Sequence, residues 1–229
     1  MLTMSTPSRR LEAVALKPRR KRKGTYHHGD LERALVEAAL RTIRLEGVQG
    51  LTLRGVGAQL GVSRTALYRH FQDKAALVAR VALEGFSLFH DALAAAVARA
   101  DREGGDALEE MAGAYVRFAM ANQSHYQTMF GGFLTDWSRY PDLMQRGAAA
   151  FGLLVEAVRQ EQRDHRLVAG DPVELAEIFW SFSHGLSTLG AARHLPRTST
   201  GVEDLAVVGC RALRDGMRGP RKRLESPKR

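Results

Sequence analysis

Residues 52–71 read TLRGVGAQLGVSRTALYRHF, and they predict two short helices joined by a tight turn. Thr52 and Ser63 are suited to cap the two helices, because a side-chain oxygen there can accept a hydrogen bond from an early amide. Gly61 can adopt the left-handed conformation that such a turn requires. The spacing is typical of a helix-turn-helix, whose second helix enters the DNA major groove.

The outer side of the second helix carries groups that suit nucleic acid. With its apolar residues inward, the helix is expected to expose Arg64, Thr65, Tyr68 and Arg69. Arginine can read guanine through two acceptors, and threonine can contact a base or a thymine methyl group. An ordinary solvated helix would also expose two arginines, so spacing alone favours DNA recognition without deciding it.

Residues 26–75 resemble the DNA-binding domain of the tetracycline-repressor (TetR) family. The most specific part is LGVSRTALYRHFQDK, which covers the turn, the second helix and the lysine beyond it. The lead-in YHHGDL, together with Trp180, His184 and Gly185 in FWSFSHGL, resembles a subgroup named for a Trp-His-Gly signature.

The resemblance implies an all-helical, homodimeric transcription regulator. Such a regulator is usually a repressor that a small molecule releases from a palindromic operator in double-stranded DNA. The positions that match DNA contacts of family members are Thr52, Arg54, Ser63, Arg64, Thr65, Tyr68, Arg69, His70 and Lys74. Gly55 and Gly57 depart from the family pattern, and each costs a helix interior up to about 1 kcal/mol relative to alanine.

Composition narrows the classes of protein that the chain can belong to. Its 229 residues are 45% hydrophobic and 26% charged, an ordinary globular balance. The single cysteine, Cys210, excludes an internal disulfide framework. We see neither a secretory signal nor an apolar run of the roughly 18 residues that a membrane helix needs, so we expect a cytoplasmic protein without a membrane partner.

The net charge of +9 is concentrated at the two ends. Residues 1–25 carry +7 and residues 218–229 carry +5, which leaves a mildly acidic body. Basic ends attract polyanions through counterion release, although two solvated disordered tails would look the same. The domains we predict are a basic tail at 1–25, a DNA-binding domain at 26–74, a ligand-binding and dimerisation domain at 75–217, and a basic tail at 218–229.

The rest of the chain predicts helices and no strands, hence an all-α fold: a three-helix helix-turn-helix domain followed by a larger helical domain. Prolines fall only in tails or between periodic segments, which suits helices. The predicted helices cover about 30–46, 53–60, 64–71, 73–100, 106–120, 125–133, 141–163, 171–192 and 203–214. Asp171-Pro-Val-Glu174 is the strongest start signal.

Two of these helices repeat apolar residues at spacings of 4 and 3, as in helices that pack at shallow angles. Periodicity leaves an intramolecular core and a dimer seam equally open, and the resemblance favours a dimer through a four-helix bundle of residues 142–163 and 172–192. The predicted interface comprises Leu143, Gly147, Ala150, Leu154, Leu175, Phe179, Phe182, Leu186 and Leu189.

The middle of the chain is rich in aromatic residues and methionine, which can line an apolar pocket. The candidate ligand-binding residues are Met111, Tyr115, Phe118, Met129, Phe133, Trp137, Phe151, Trp180 and His184. Any one of them is more often simply core, and for His184 a hydrogen-bonded core histidine is the stronger expectation.

Two other classes of protein remain to be weighed. An enzyme is disfavoured because we find no HExxH or GxSxG motif and no Gly-rich loop after a strand, and we predict no cofactor and no metal site. An architectural protein that binds nucleic acid through its basic tails alone would ignore sequence, whereas a recognition helix would not.

Overall fold

The computed structural model describes residues 28–196 and 198–218, and within these ranges the chain is entirely helical. The helices are α1 His28–Gly50, α2 Leu53–Leu60, α3 Arg64–His70, α4 Lys74–Glu103, α5 Ala107–Ala121, α6 Gln123–Phe130, α7 Pro141–Arg163, α8 Pro172–Ala191 and α9 Ser199–Gly216, with a 3-10 turn at Trp137–Arg139. The all-α prediction is confirmed. The predicted tail at 1–25, the start of the YHHGDL lead-in and residues 219–229 lie outside the described residues.

Side-chain caps begin most of these helices where the sequence places them. Thr52 accepts a hydrogen bond from the amide of Gly55 at 3.0 Å, and Asp106 accepts one from Glu109 at 3.0 Å. Asp171 caps α8 ahead of a proline in its first turn. These local bonds satisfy amides that have no partner inside the helix, and they fix where each helix starts.

Helices α1, α2 and α3 pack together at one end of a continuous apolar core. Leu35 and Ile43 of α1, Val56 of α2 and Leu67 of α3 are all buried in it. A hydrogen bond of 2.9 Å from the Gln59 amide to the Thr42 hydroxyl also ties α2 to α1. The backbone of α1 kinks at Gly47, where φ is 72°, and the helix predicted to stop there makes one further turn.

Helix α4 is the central element of the structure. Its 30 residues span about 45 Å, beginning just after α3 and continuing into the larger domain. It packs against α1, α5, α6 and α7, and eleven of its residues are buried. Among the described helices α4 alone is long and apolar enough to cross a membrane, and 39% of its most apolar stretch is buried inside the structure.

Helices α5 to α9 complete the larger domain, with α5 packed between α4, α8 and α9. Charged pairs hold α5 to α9. The side chain of Arg214 is only 11% exposed and pairs with Asp106 and Glu109, while Arg211 also pairs with Glu109. These ion pairs fix α9 against the start of α5, and we call this pair of helices the rear wall of the larger domain.

Candidate DNA interface and ligand cavity

The turn between α2 and α3 has the geometry that the sequence predicts. Gly61 is left-handed, with φ of 64°, and its amide donates to the carbonyl of Ala58 at 3.1 Å. Ser63 then caps α3 by accepting from the amide of Ala66 at 3.2 Å. Gly57 lies against Leu67, since a Cβ there would be 3.2 Å from Leu67 Cδ2. This glycine therefore lets α2 and α3 pack closely.

The outer surface of this motif is polar and exposed, and we call it the α3 face. Of the nine predicted DNA contacts, seven are exposed: Thr52, Arg54, Ser63, Arg64, Thr65, Tyr68 and Arg69. The guanidinium of Arg64 lies 5.5 Å from the centre of the Tyr68 ring, a cation–π contact that orders both side chains.

The other two predicted contacts, His70 and Lys74, are partly buried. The ammonium of Lys74 donates to the backbone carbonyl of Gln49 at 3.2 Å, so it holds the end of α1 to the start of α4. Its position at the edge of the α3 face is therefore set by an internal hydrogen bond.

The hydroxyls of Thr52 and Ser63 keep a hydrogen-bond donor after they cap their helices. Both oxygens accept an amide proton within the motif. A hydroxyl that accepts a hydrogen bond keeps its own proton to donate, so each can still donate to a phosphate oxygen. Phosphate contacts of this kind fix the orientation of a protein on the duplex, whereas base contacts read sequence.

A cavity of about 530 Å³ lies inside the larger domain. Helices α4 to α9 and the segment after α6 all contribute to its wall. Its lining is apolar and aromatic apart from the hydroxyls of Thr128, Ser183 and Tyr115, the indole N–H groups of Trp137 and Trp180, and the thiol of Cys210. This volume lies within the range of pockets that bind small molecules in proteins.

Tyr115 and Trp180 of the wall form a polar cluster with Tyr126 and His184, which lie behind the wall. The two phenol oxygens lie 3.0 Å and 2.9 Å from Nδ1 of His184, and the Trp180 indole donates to the Tyr115 oxygen at 3.2 Å. Burial lowers the pKa of His184 and raises the pKa of both tyrosines, so all three side chains are neutral at pH 7.

Seven of the nine predicted ligand-binding residues line the cavity, namely Met111, Tyr115, Met129, Phe133, Trp137, Phe151 and Trp180. The other two lie behind the lining. Phe118 is buried with its ring centre 5.1 Å from that of Phe89, and His184 packs behind the lining residues Tyr115 and Phe130. The hydrogen-bonded core histidine expected for His184 is what the structure contains.

Sequence reasoning missed the contribution of α4 to this cavity. Phe86 and Phe89 line it from α4, and Phe130 lines it from α6. The spacing of Phe86 and Phe89 shows that they share a helix face. No pattern in the sequence tells a face that packs against neighbours from a face that borders a void.

The predicted dimer residues of α7 do not face outward. Leu143 and Ala150 are each 1% exposed within the single chain, and Gly147, Ala150 and Leu154 line the cavity. On α8, Phe179 is 3% exposed and also lines the cavity. Leu143, Ala150 and Phe179 are therefore interior residues of one chain, which corrects their predicted place in the interface. Gly147 and Leu154 are only partly buried, and for them the interface stays a prediction.

The remaining predicted dimer residues lie on α8. Leu175, Phe182 and Leu186 are partly buried, and Leu189 is 45% exposed. Ile178, also 45% exposed, extends the outward surface of α8.

Comparison with known proteins identifies relatives of both parts of the chain. Residues 35–81 match the model of bacterial regulatory proteins of the tetR family, and residues 108–213 match a tetracyclin repressor-like C-terminal domain. Neither match names the Trp-His-Gly subgroup, which stays a prediction.

Curated relatives match over the N-terminal part. An uncharacterized HTH-type transcriptional regulator of Bacillus subtilis, YobS, is 31% identical over 99 residues, which are 43% of this chain and 51% of YobS. The class D tetracycline repressor protein of Escherichia coli is 34% identical over 58 residues, or 25% of this chain and 27% of the repressor. The chain spans about half the length, or less, of the curated relatives it matches.

Solved structures share the whole fold. A protein of unknown function from Rhodococcus sp. RHA1 is 29% identical, with a TM-score of 0.72 over 86% of this chain and all of that one. The TetR family transcriptional regulator PfmR from Thermus thermophilus has a TM-score of 0.63 at 19% identity, over 81% of this chain and 98% of PfmR. The arrangement of helices is therefore common to these chains.

Proposed function

Because this chain belongs to the TetR family of bacterial regulatory proteins, we propose that it is a sequence-specific DNA-binding transcriptional regulator that a small molecule releases from a palindromic operator. The family is one of regulators and not of enzymes. The observation that carries the proposal is the α3 face, where exposed Arg64, Thr65, Tyr68 and Arg69 stand on a helix anchored by buried Leu67.

The two residues that begin α3 are best placed to read bases. In this motif the N-terminal residues of the second helix contact base edges. Arg64 and Thr65 occupy that position, both exposed, while the capping hydroxyls of Thr52 and Ser63 flank them. We therefore assign base reading to Arg64 and Thr65 and phosphate contact to the flanking hydroxyls.

A palindromic operator requires two copies of the α3 face. We propose that the second copy docks on the outward surface of α8, where Ile178 and Leu189 are each 45% exposed. Gly185 lies between them, and a Cβ there would meet nothing within 4 Å, so the backbone of a partner helix can approach closely.

A ligand in the cavity can act on DNA binding through α4, because this one helix reaches both sites. Phe86 and Phe89 of α4 line the cavity, and Lys74 at its start holds the end of α1. An ion pair of 2.7 Å between Arg80 and Glu32 also joins α4 to α1. A shift of α4 therefore moves the DNA-binding domain, and such coupling is typically worth about 1–3 kcal/mol.

Binding-site selection from random duplex DNA tests the DNA-binding proposal. The full chain should enrich a palindrome, and Arg64→Ala combined with Thr65→Ala should abolish the preference while leaving weak, salt-sensitive binding. Arg159→Ala is the control, since this exposed arginine lies on α7. If the double variant keeps full preference for the selected site, the assignment of base reading to α3 is wrong. If the wild-type chain enriches no sequence, the architectural alternative replaces the regulator.

Sedimentation tests the α8 surface separately. Leu189→Glu should convert a two-chain species to single chains, because it places a charge in the proposed apolar contact. Leu45→Glu is the matched control, since Leu45 is 82% exposed on α1. A Leu189→Glu protein that still sediments as two chains would move the interface to another surface.

A further inference from the structure

We propose that the effector of this regulator is an uncharged, flat aromatic molecule that carries a hydrogen-bond acceptor such as a ketone oxygen. The inference rests on the proposed function, in which the cavity holds the effector. It adds the chemical class of the molecule, which is argued from the charge, shape and hydrogen bonding of the cavity wall.

The wall excludes charged ligands. None of its 24 residues is Asp, Glu, Lys, Arg or His. A carboxylate, phosphate or ammonium group inside would lose its hydration and find no opposite charge in the lining. His184 stands behind the wall, but burial lowers its pKa, so it supplies no positive charge at neutral pH. The ligand must therefore enter as a neutral molecule.

The wall favours flat rings over flexible chains. Nine of its residues are aromatic. They lie at steep angles to one another, as Phe86 and Trp137 do at 71° and Phe151 and Trp180 do at 58°. Walls set at such angles offer ring faces and ring edges to one guest, and aromatic pairs prefer both the offset-stacked and the edge-to-face arrangement. A rigid polycyclic ligand also loses little conformational freedom on binding.

The polar cluster behind the wall predicts an acceptor on the ligand. An imidazole nitrogen offers one in-plane bonding position, so Nδ1 of His184 can bond only one of its two phenol neighbours at full strength. Both phenol oxygens lie within hydrogen-bond distance of Nδ1, Tyr126 at 2.9 Å and Tyr115 at 3.0 Å, so Tyr126 can occupy Nδ1 when Tyr115 bonds elsewhere. Tyr115 lines the cavity, and its oxygen already accepts from Trp180. Its phenol proton can therefore turn from the cluster to an acceptor on the ligand, while Tyr126 holds Nδ1 of His184.

The cavity is open to a ligand from one side. Met144 on α7 and Trp180 on α8 both line it, yet they are 48% and 37% exposed. The cavity therefore reaches the surface between α7 and α8. A ligand that enters there passes Trp180 and arrives beside the phenol of Tyr115.

Three pyrene derivatives of similar shape test this class in the absence of DNA. The probes are 1-acetylpyrene, which is neutral with a ketone acceptor, pyrene, which has no acceptor, and 1-pyrenecarboxylate, which is charged. Trp137 and Trp180 are the two tryptophans of the chain and both line the cavity. Quenching of tryptophan fluorescence by each probe therefore reports occupancy directly.

We expect 1-acetylpyrene to bind about 3- to 10-fold more tightly than pyrene, the value of one net hydrogen bond. The carboxylate should bind about 100-fold more weakly than the ketone, because its charge stays unpaired in the cavity. Binding of the carboxylate as tight as that of the ketone would overturn the exclusion of charge. Failure of all three to quench would overturn the aromatic class.

Tyr115→Phe tests the role of the phenol. This variant should bind 1-acetylpyrene and pyrene equally, and its affinity for pyrene should equal that of the wild-type protein. Tyr140→Phe is the matched control, because it removes a buried hydroxyl that lies outside the cavity lining and has no hydrogen-bond partner among the described residues. If Tyr115→Phe keeps the preference for the ketone, Tyr115 is not the donor.

The quenching experiment separates this inference from the proposed function. A neutral probe that binds but leaves operator binding unchanged supports the ligand class and contradicts release from DNA by a ligand. A chain that enriches an operator but binds the charged probe as tightly as the neutral ones contradicts the ligand class and leaves the regulator intact.

Discussion

Replacement of Arg214 by Met should destabilise the protein far more than the same change at a surface arginine. Arg214 lies at the C-terminal end of α9, and its guanidinium pairs with Asp106 and with Glu109, at 3.0 Å for the second. All three side chains are between 11% and 16% exposed. Removal of the cation therefore leaves two carboxylates partly buried without it.

The expected loss of unfolding free energy depends on the partners that the two carboxylates retain in the variant. Breaking a buried ion pair by removing one partner costs about 3–5 kcal/mol. Asp106 still accepts from the amide of Glu109, and Glu109 still pairs with Arg211, so the loss should fall near the lower limit. For a chain of this length about 3 kcal/mol corresponds to a fall in Tm of roughly 6–12 °C. Methionine fills about the same volume as the aliphatic part of arginine, so the loss of stability measures the removal of the charged group.

Thermal unfolding followed by circular dichroism at matched protein concentration measures the difference. Arg159→Met is the control, since Arg159 is 49% exposed and its pair with Glu156 is 3.5 Å long on the surface of α7. That change should alter stability by about 0.5 kcal/mol or less. If the two variants have the same Tm, the charged contacts between α5 and α9 do not hold the rear wall of the larger domain.

Three further changes have expected outcomes. The hydrogen bond from Arg211 holds the pKa of Glu109 below its ordinary value of 4.5, so this pair stabilises the fold above pH 4.5 and its contribution is lost as the pH falls through the lowered pKa. The gap in urea stability between wild type and Arg211→Met should therefore be constant near neutrality and close in acid, and a gap independent of pH would contradict this. Gly57→Ala should lower stability despite the higher helix propensity of alanine, because the new Cβ lies 3.2 Å from Leu67 Cδ2, and a gain in urea unfolding would show that Leu67 can move. Burial raises the pKa of Cys210 to about 12, so iodoacetamide should modify this thiol only after unfolding, as mass spectrometry would show.

Local chemistry explains why the helices were predictable. Each start signal is complete within about four residues, as at Asp106, whose carboxylate reaches the amide of Glu109. The turn at Gly61 depends only on a backbone conformation that glycine adopts readily. Such features need no knowledge of the tertiary structure. For the same reason they do not show which apolar residues of α1 face the core, and Leu45 of this helix is 82% exposed.

The candidate sites were predictable to different extents. The α3 face follows from one helix and its period, so the exposure of Arg64 and Tyr68 could be predicted from residues 63–71 alone. The cavity is lined by residues from six helices, and it exists because the side chains of those helices leave space between them unfilled. The content of aromatic residues and methionine indicated seven of its residues, but the lining by Phe86 could not be separated from ordinary core packing.

The predicted dimer interface shows that a periodic row of apolar residues on a helix does not reveal what packs against that row. The spacing on α7 correctly placed Gly147 and Ala150 on one face, and small residues there do allow a close approach. The groups that approach Gly147 are the rings of Phe86 and Trp137 of the same chain, each 3.7 Å from where a Cβ would be. On α8, by contrast, Gly185 faces open space. Both helices satisfy the same sequence pattern, so only the exposure of the folded chain separates a wall of the cavity from a surface available to a second copy.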